Sequence, residues 1–330
     1  MFTFSFDAIG TQWEIETYEP LARELQHRIL DRIEAFDTTY SRFRPDSLVS
    51  RIAAAPEGGC FDFPDDSLAL FDLYDRLHRA TAGAVDPLVG RDLELLGYDR
   101  TYSLTPASNL VRANAHARGR ATWSKDIIRD GTSIVTQRPL VIDVGAAGKG
   151  YLVDIVSELL REDGFTQFVV DGSGDMRHVG ESSLRVGLEH PFDPRLAIGI
   201  ANLHDRALCA SGVNKRAWGD GLHHVLDART GVPVQNVVAT WVVADRGLSS
   251  NGTKTYVKLK KPCRSMYIHS NSPQIPGWFG AIMYIQSEAT TERTRWISIQ
   301  VRSRSQKGAS ALLMVRLSPT IEKSLNALER

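Results

Sequence analysis

The stretch Val141-Ile-Asp-Val-Gly-Ala-Ala-Gly-Lys-Gly-Tyr-Leu-Val-Asp154 carries the strongest local signal in the sequence. The apolar residues at 139–144 predict a buried strand, and the glycine-rich turn at 145–150 leads into a predicted helix at 151–162. Backbone N–H groups point outward at a helix N-terminus, where the helix dipole favours negative charge. Together with the positive charge of Lys149, the turn therefore predicts a site for an anionic oxygen. An ordinary strand-to-helix turn with a solvated lysine explains the stretch equally well.

Two common nucleotide-binding motifs do not fit this stretch. A Walker A loop fails because only two residues separate Gly145 from Gly148, and because Gly150 follows the lysine where a Ser or Thr would hold a metal ion. A Rossmann fingerprint fails because Arg177 stands at the position of the third glycine after Gly172-Ser-Gly174. The predicted anion site is therefore of another kind.

The sequence around this stretch alternates strands with a few long helices. Apolar residues at a helical spacing predict helices at 20–36, where Pro20 suits the first turn, and at 67–81. Residues 2–17 predict a strand pair or one long strand, and residues 100–137 are polar and irregular. Further strands are predicted at 167–171, 196–201, 224–226 and 237–244. The fold class is therefore α/β, with a mixed sheet packed by helices.

Two short motifs contain residue types that contact nucleotides. Asp171-Gly-Ser-Gly-Asp175 has small residues that permit close backbone approach and two carboxylates that could orient a ribose or a metal ion. Phe43 could stack on a planar ring, and Arg42 or Arg44 could meet a phosphate. Taken singly, each motif is weak, because short glycine turns and exposed arginines are common.

Two further motifs are also open to more than one interpretation. In a strand, the adjacent His223 and His224 point to opposite sides, so they cannot both be ligands of one ion. The turn Gly83-Ala-Val-Asp-Pro87 holds one carboxylate, Asp86. A hairpin with a satisfied histidine explains the first motif, and an ordinary turn explains the second.

In their order and spacing, these motifs resemble the FAD:protein FMN transferase family, called ApbE, from Ile9 to Asp245. The matching pieces are Ile9-Gly10-Thr11, Ser41-Arg42-Phe43 with Ser47, Ala84-Val85-Asp86-Pro87, Asp143 to Asp154, Asp171 to Asp175, Ser211-Gly212, and His224 to Gly231. The two most specific are Asp-x-Gly-x-x-Gly-Lys-Gly-Tyr and His-x-x-Asp-x-x-Thr-Gly. The resemblance implies an ApbE-like transferase fold.

The resemblance also implies an activity and a set of ligands. Members bind FAD and Mg²⁺ and transfer the FMN half onto a Ser or Thr hydroxyl of a target protein, with release of AMP. FAD is thus the expected substrate, Mg²⁺ the expected cofactor and a flavinylated acceptor protein the expected partner. The residues expected to touch the flavin nucleotide are Ile9, Phe43, Ala84, Val85, Asp86, Asp143, Lys149 and His224. Those expected to hold Mg²⁺ are the carbonyl of Ala146, Asn251 and Thr255. No catalytic residue is assigned.

The sequence departs from the family at one expected metal ligand. Asn251 stands where members have an aspartate, whereas the threonine four residues later is kept as Thr255. Two alternatives to the transferase activity therefore remain. One is a hydrolase that converts FAD to FMN and AMP, and the other is a catalytically impaired FAD-binding protein.

Charge divides the chain into two parts. Residues 1–246 hold 26 Lys and Arg against 35 Asp and Glu, a net of −9, whereas residues 247–330 hold 13 against 4, a net of +9. The inversion coincides with the end of the resemblance. It predicts an ApbE-like flavin transferase domain at 1–246 and an atypical basic tail at 247–330, whose origin the sequence does not identify.

The composition excludes several classes of protein. The formal net charge is zero, which gives no indication of a nucleic-acid partner. The sequence contains no run of 18 apolar residues, so it predicts no transmembrane segment. The start of the sequence lacks a basic region before an apolar one, so we expect either a cytoplasmic protein or a chain that begins after a removed signal. The acceptor could be associated with a membrane.

Overall fold

The computed structural model describes residues 1–115, 119–235 and 237–248, together with the backbone of 268–270, 280–285, 299–304 and 310–315. The helices are α1 (Arg23–Tyr40), α2 (Leu48–Ala53), α3 (Ser67–Ala80), α4 (Gly90–Leu95), α5 (Asn109–Ala115), α6 (Trp123–Asp126) and α7 (Gly148–Glu162). Two 3-10 turns cover Pro87–Val89 and Val213–Arg216. No helix of the described part is long and apolar enough to cross a membrane.

Strands form one large sheet and several small ones. The strands are β1 (Phe2–Ala8), β2 (Thr11–Thr17), β3 (Gly59–Asp62), β4 (Ile128–Asp130), β5 (Ser133–Thr136), β6 (Phe168–Asp171), β7 (Asp175–Val179), β8 (Leu184–His190), β9 (Asp193–Leu203), β10 (Ala207–Gly212), β11 (Ala217–Trp218), β12 (Leu222–His223), β13 (Leu226–Asp227), β14 (Val232–Pro233), β15 (Ala239–Ala244), β16 (Ile268–Ser270), β17 (Gly280–Ile285), β18 (Ile299–Arg304) and β19 (Ser310–Val315). The large sheet has the order β1-β2-β6-β7-β10-β15-β17-β16. The combination of helices with a large sheet confirms the predicted α/β fold class.

The largest hydrophobic cluster packs α1, α3 and α7 against β2 and β6. Its members recur at helical spacing on α1, where Leu25, Ile29 and Ile33 are buried, and alternate on β2, where Trp13 and Ile15 are buried. The predicted pair of strands at 2–17 is thus the hairpin β1–β2. This cluster holds the N-terminal end of α7, and with it the glycine-rich turn, in a fixed position.

Helix α1 differs from the prediction at both ends. It begins at Arg23 because the backbone of Ala22 is still extended, so Pro20 lies before the first turn and not in it. The Thr17 hydroxyl donates a hydrogen bond to the Glu19 carbonyl, which keeps this segment in a turn. The helix continues to Tyr40 because Phe36 and Tyr40 extend the buried side of the helix.

The predicted strand at 139–144 is wrong. Leu140 and Ile142 are buried, as a strand there would require, but the segment belongs to no sheet. Its neighbour in space is the chain from Pro87 to Gly90: the Asp143 N–H donates to the Pro87 carbonyl at 2.7 Å. That neighbour forms a 3-10 turn and the start of a helix, so no extended partner is available for a ladder.

Other boundaries shift by a few residues. Helix α7 begins at Gly148, inside the glycine-rich turn and three residues before the predicted start. It ends at Glu162, as expected, and is followed by Gly164, whose φ of 91° only glycine adopts easily. The strand predicted at 224–226 is interrupted, because β12 ends at His223 and β13 begins at Leu226. Residues 100–137 contain the expected short strands but also α5 and α6.

A second hydrophobic cluster forms where the hairpin β8–β9 packs against β10 and β15, with Leu188, Leu203 and Trp241 among its members. Beyond β15 the large sheet continues into β17, which pairs antiparallel with it from Ala239↔Ile285 to Ala244↔Gly280. The sheet therefore crosses the predicted boundary at 246/247. The predicted division into two domains stays a prediction, since most of the basic tail lies outside the described residues.

Candidate active site

A cavity of about 2040 Å³ is lined by residues from every motif that the sequence singled out. One side consists of the glycine-rich turn at 145–149 and the β6–β7 turn at 172–175, and we call this side the glycine wall. A second part of the lining consists of Phe43, Tyr98 and Tyr102 together with Arg42 and Arg216, and we call it the aromatic wall. All eight predicted flavin contacts line the cavity, and so does Ala146, one of the predicted metal ligands.

Lys149 joins the two turns of the glycine wall. Its Nζ donates to the Ser173 carbonyl at 2.8 Å and lies 3.6 Å from Oδ2 of Asp175. The Asp175 side chain is only 1% exposed, whereas that of Lys149 is 22% exposed and reaches the cavity. The structure therefore does not support the interpretation of Lys149 as a solvated surface lysine.

The β6–β7 turn adopts a geometry that its sequence favours. Ser173 and Gly174 both have positive φ values, 57° and 90°, which is typical of the two-residue hairpin turns that suit twisted strands. The Gly174 N–H donates to Oδ1 of Asp171 at 3.0 Å. Burial raises the pKa of Asp171, although this hydrogen bond and Lys149 act in the opposite direction.

Asp143 and Arg42 form a buried ion pair between the two walls. The Arg42 Nε donates to Oδ2 of Asp143 at 2.6 Å, and its Nη1 donates to the Tyr98 carbonyl at 2.8 Å. The other oxygen of Asp143 accepts the Gly145 N–H at 2.7 Å. Burial acts to raise the pKa of Asp143, but the charge and hydrogen bond of Arg42 outweigh it, and the net direction is downward. Asp143 thus fixes the turn while remaining ionised.

The two arginines considered as phosphate contacts are engaged elsewhere. Arg42 bonds Asp143 and a backbone carbonyl, and its side chain is 4% exposed. Arg44 forms ion pairs with Asp46 and with Glu34 on α1. In the described contacts, Lys149 is the better candidate for a phosphate.

In the aromatic wall, aromatic rings pack against one another and against guanidinium groups. Phe43 stacks on Tyr102, with ring centroids 5.0 Å apart and an angle of 5° between the ring planes. The Arg42 guanidinium lies 4.2 Å from the centre of the Phe43 ring. The Arg216 Nη1 donates to the Tyr98 hydroxyl at 2.6 Å. Sequence reasoning found Phe43 and missed Tyr98, Tyr102 and Arg216, because nothing in their local sequence connects them.

His224 lies beside the aromatic wall, whereas His223 does not line the cavity. The Nδ1 of His224 is 3.4 Å from the Arg216 carbonyl oxygen. Burial, assisted by the charge of Arg216, lowers the pKa of His224 to about 4, so the ring is neutral near pH 7. The Nε2 of His223 is 2.9 Å from the Val234 carbonyl oxygen in the protein interior. The two rings thus lie in different environments, one at the cavity and one in the protein interior.

Two of the predicted contacts, Ile9 and Asp86, lie in or next to tight turns. Ile9 has a φ of 45°, a left-handed conformation that is rare for a β-branched residue, at the tip of the β1–β2 hairpin. Asp86 is buried, and its two oxygens accept the N–H groups of Leu88 and Trp123, each at 2.8 Å. Asp86 therefore supports the cavity wall through its backbone contacts.

The predicted metal ligands are only partly within the described residues. Ala146 is in the glycine wall, and no backbone N–H of the described chain donates to its carbonyl. Asn251 and Thr255 lie outside the described residues. The described part contains no group of three or more His, Cys, Asp or Glu side chains that could hold a metal ion.

The chain just before Asn251 is attached to α7. Both oxygens of Asp154 accept backbone N–H groups, from Gly247 at 2.7 Å and from Leu248 at 2.8 Å. A Cβ on Gly247 would lie 2.5 Å from the Gly150 carbonyl oxygen, so the close approach requires glycine. The last residues of this described segment, Gly247 and Leu248, therefore lie against α7, close to the glycine wall.

Comparison with known proteins gives one consistent result. The ApbE family model matches residues 9–278. The chain is 24% identical to the FAD:protein FMN transferase of Klebsiella pneumoniae, over 79% of each chain. It is 26% identical to the FAD:protein FMN transferase of Vibrio cholerae, over 77% of this chain and 78% of the relative.

Solved structures show the same fold. The flavin transferase ApbE of Vibrio cholerae superposes with a TM-score of 0.67 at 24% identity, covering 77% of this chain and 85% of that one. The ApbE protein of Thermotoga maritima gives a TM-score of 0.65 at 24% identity, with the same coverage of 77% and 85%. The family match ends at residue 278, beyond the limit at Asp245 that the motifs gave.

Proposed function

The chain belongs to the ApbE family, and on that premise we propose that it transfers FMN from FAD to a Ser or Thr hydroxyl of an acceptor protein and releases AMP. One observation carries the proposal: a single cavity contains both a lysine at a helix N-terminus and a neutral histidine, His224. The first suits a diphosphate, and the second suits a hydroxyl that must lose a proton. The names of the related proteins support the same reaction.

The glycine wall is the proposed site of the diphosphate. Lys149 carries a positive charge at the first turn of α7, where N–H groups lack partners within the helix. The carbonyl of Ala146, together with Asn251 and Thr255, is the proposed oxygen ligand set for Mg²⁺, and such hard oxygen donors suit this ion. When bound, Mg²⁺ would supply further neutralisation of phosphate charge.

The aromatic wall is the proposed site of the flavin ring. Phe43 and Tyr102 already form a stacked pair, and Tyr102 is exposed, so a planar ring can pack against the pair. The neutral imidazole of His224 beside this wall can accept the proton of an acceptor hydroxyl. An anionic diphosphate nearby would raise the pKa of His224 and so increase its strength as a base.

The assay uses the purified protein with FAD, Mg²⁺ and a cell extract as the source of acceptor proteins. We expect AMP release together with FMN-modified Ser or Thr residues, detected by mass spectrometry of peptides. AMP and free FMN without a modified protein would show a hydrolase. FAD binding without AMP would show a binding protein and contradict the proposal. The identity of the acceptor and the cytoplasmic location stay predictions.

A further inference from the structure

Three side chains form a line that begins at the cavity with Asp86, a predicted flavin contact, and continues through His78 to Ser124, neither of which has a role in the transferase site. The Ser124 Oγ lies 3.0 Å from Nε2 of His78, and Nδ1 of His78 lies 3.1 Å from Oδ2 of Asp86. A serine, an imidazole and a carboxylate in this order are the parts of an activated nucleophile. Ser124 is exposed, whereas the side chains of His78 and Asp86 are 15% and 3% exposed.

Asp86 also fixes the backbone that carries the serine. Its Oδ2 accepts the Trp123 N–H, directly before Ser124, and the Trp123 ring Nε1 donates to Asp75 at 2.6 Å. The Nδ1 of His78 is close to Asp86 without a well-aligned hydrogen bond. Such contacts in a free enzyme often tighten only when the reactants are bound.

The cluster lies at the rim of the cavity. A Cβ on Gly83 would be 3.4 Å from the His78 ring and 3.8 Å from Cγ of Arg229, so both side chains lie next to Gly83. Arg229 and Asp86 line the cavity, but Ser124 does not. The serine therefore faces solvent from the outer side of the cavity rim.

We propose that Ser124 is itself an acceptor for FMN, so that the protein modifies a second copy of its own chain. For this acceptor the base is His78 of the acceptor copy, oriented by Asp86, in place of His224 of the transferring copy. The inference rests on the proposed function, which supplies the electrophile. Because Ser124 is exposed and does not line its own cavity, the transfer takes place between two molecules.

The step balances without any further reactant. The Ser124 Oγ attacks the phosphorus of FAD that carries the riboflavin, and a new P–O bond forms. The bond from this phosphorus to the bridging oxygen of the diphosphate breaks, and AMP leaves with its electron pair. The hydroxyl proton passes to Nε2 of His78 and from there to solvent. The product is a chain that carries FMN as a phosphoester on Ser124.

The test incubates the purified protein with FAD and Mg²⁺ alone. We expect a mass increase equal to FMN less one water, located on Ser124 by peptide mass spectrometry, at a rate that rises with protein concentration. Ser124→Ala should remove the label, and Ser182→Ala, at another exposed serine, should keep it. His78→Gln should lower the labelling rate by about 100-fold or more, the usual contribution of a general base.

A mixing experiment tests transfer between molecules. Lys149→Met, which keeps Ser124, is isotopically labelled and mixed with unlabelled Ser124→Ala, which keeps the cavity. More FMN on the labelled chain in the mixture than on labelled Lys149→Met incubated alone would confirm transfer between copies, and equal amounts would overturn it. If extract proteins are modified but Ser124 is not, the self-modification is wrong and the proposed function stands. If FAD binds and nothing is modified, the proposed function fails as well.

Discussion

The two walls of the cavity are built in different ways. The glycine wall comes from two short contiguous stretches whose turn conformations are set by their own residues, as the positive φ values of Ser173 and Gly174 show. The aromatic wall is assembled from the loop after α1, the loop after α4 and the 3-10 turn at Val213–Arg216. The first wall is therefore a local feature that presents charge, and the second is a tertiary feature that presents rings.

The walls also differ in what their ionic contacts do. In the glycine wall, Lys149 is partly exposed and reaches the cavity, so its charge is available to a ligand. In the aromatic wall, Arg42 is buried and paired with Asp143. We therefore expect changes at Arg42 to act mainly on stability and changes at Lys149 to act mainly on binding.

The largest effect is expected for Arg42→Met. Removing one partner of a buried ion pair leaves Asp143 charged and unpaired, which costs about 3–5 kcal/mol of unfolding free energy. Denaturant unfolding measures this loss, and Arg91→Met, at an exposed pair with Glu94, serves as the control that changes little. A loss below about 1 kcal/mol would show that the pair does not hold the walls together.

The second-largest effect is expected for Lys149→Met, on the affinity for FAD. A hydrogen bond to a charged group is worth about 1.5–3 kcal/mol, so the Kd for FAD should rise about tenfold to a hundredfold. Affinity for riboflavin, which has no phosphate, should be unchanged, and wild type should bind FAD more tightly than FMN or riboflavin. Fluorescence titration checks this, with Lys215→Met, at an exposed lysine that pairs with Glu189, as the control. An equal loss for all three ligands would assign Lys149 to the ring site.

The pH dependence of stability should identify His224. Its folded pKa of about 4 lies below the ordinary value of 6.5, so the unfolded state takes up a proton first as the pH falls. The unfolding free energy should therefore fall below pH 6.5, by at most about 1.4 kcal/mol per pH unit, until about pH 4. His224→Gln should lose this part of the dependence, measured by denaturant unfolding at several pH values. Parallel curves for both proteins would show that the ring is solvated.

The smallest effect is expected for Tyr102→Leu. An aromatic pair contributes about 0.5–1.5 kcal/mol beyond the area that it buries, and Tyr102 is half exposed. The Kd values for riboflavin, FMN and FAD should therefore rise together by about twofold to tenfold. Loss of FAD affinity alone would place the flavin ring elsewhere and weaken the distinction between the walls.

The errors of sequence reasoning have a common physical cause. The apolar segment at 139–144 has the composition of a strand, but whether it joins a sheet depends on its neighbour, which is the turn after Asp86. Arg42 has the chemistry of a phosphate ligand, but its partner Asp143 is 101 residues away. A single sequence carries no record of either neighbour.

What the sequence determined by itself is the set of local structures: the glycine turn before α7, the β6–β7 turn, the amphipathic helices and the family resemblance that their order carries. These depend on backbone conformation and apolar spacing, which contiguous residues control. Only the tertiary structure decided that Lys149 ties the two turns together, across 24 residues, and that Arg216 meets Tyr98, across 118 residues. Those contacts depend on packing between distant elements, because the free energy that forms them comes from the shared core and not from the residues themselves.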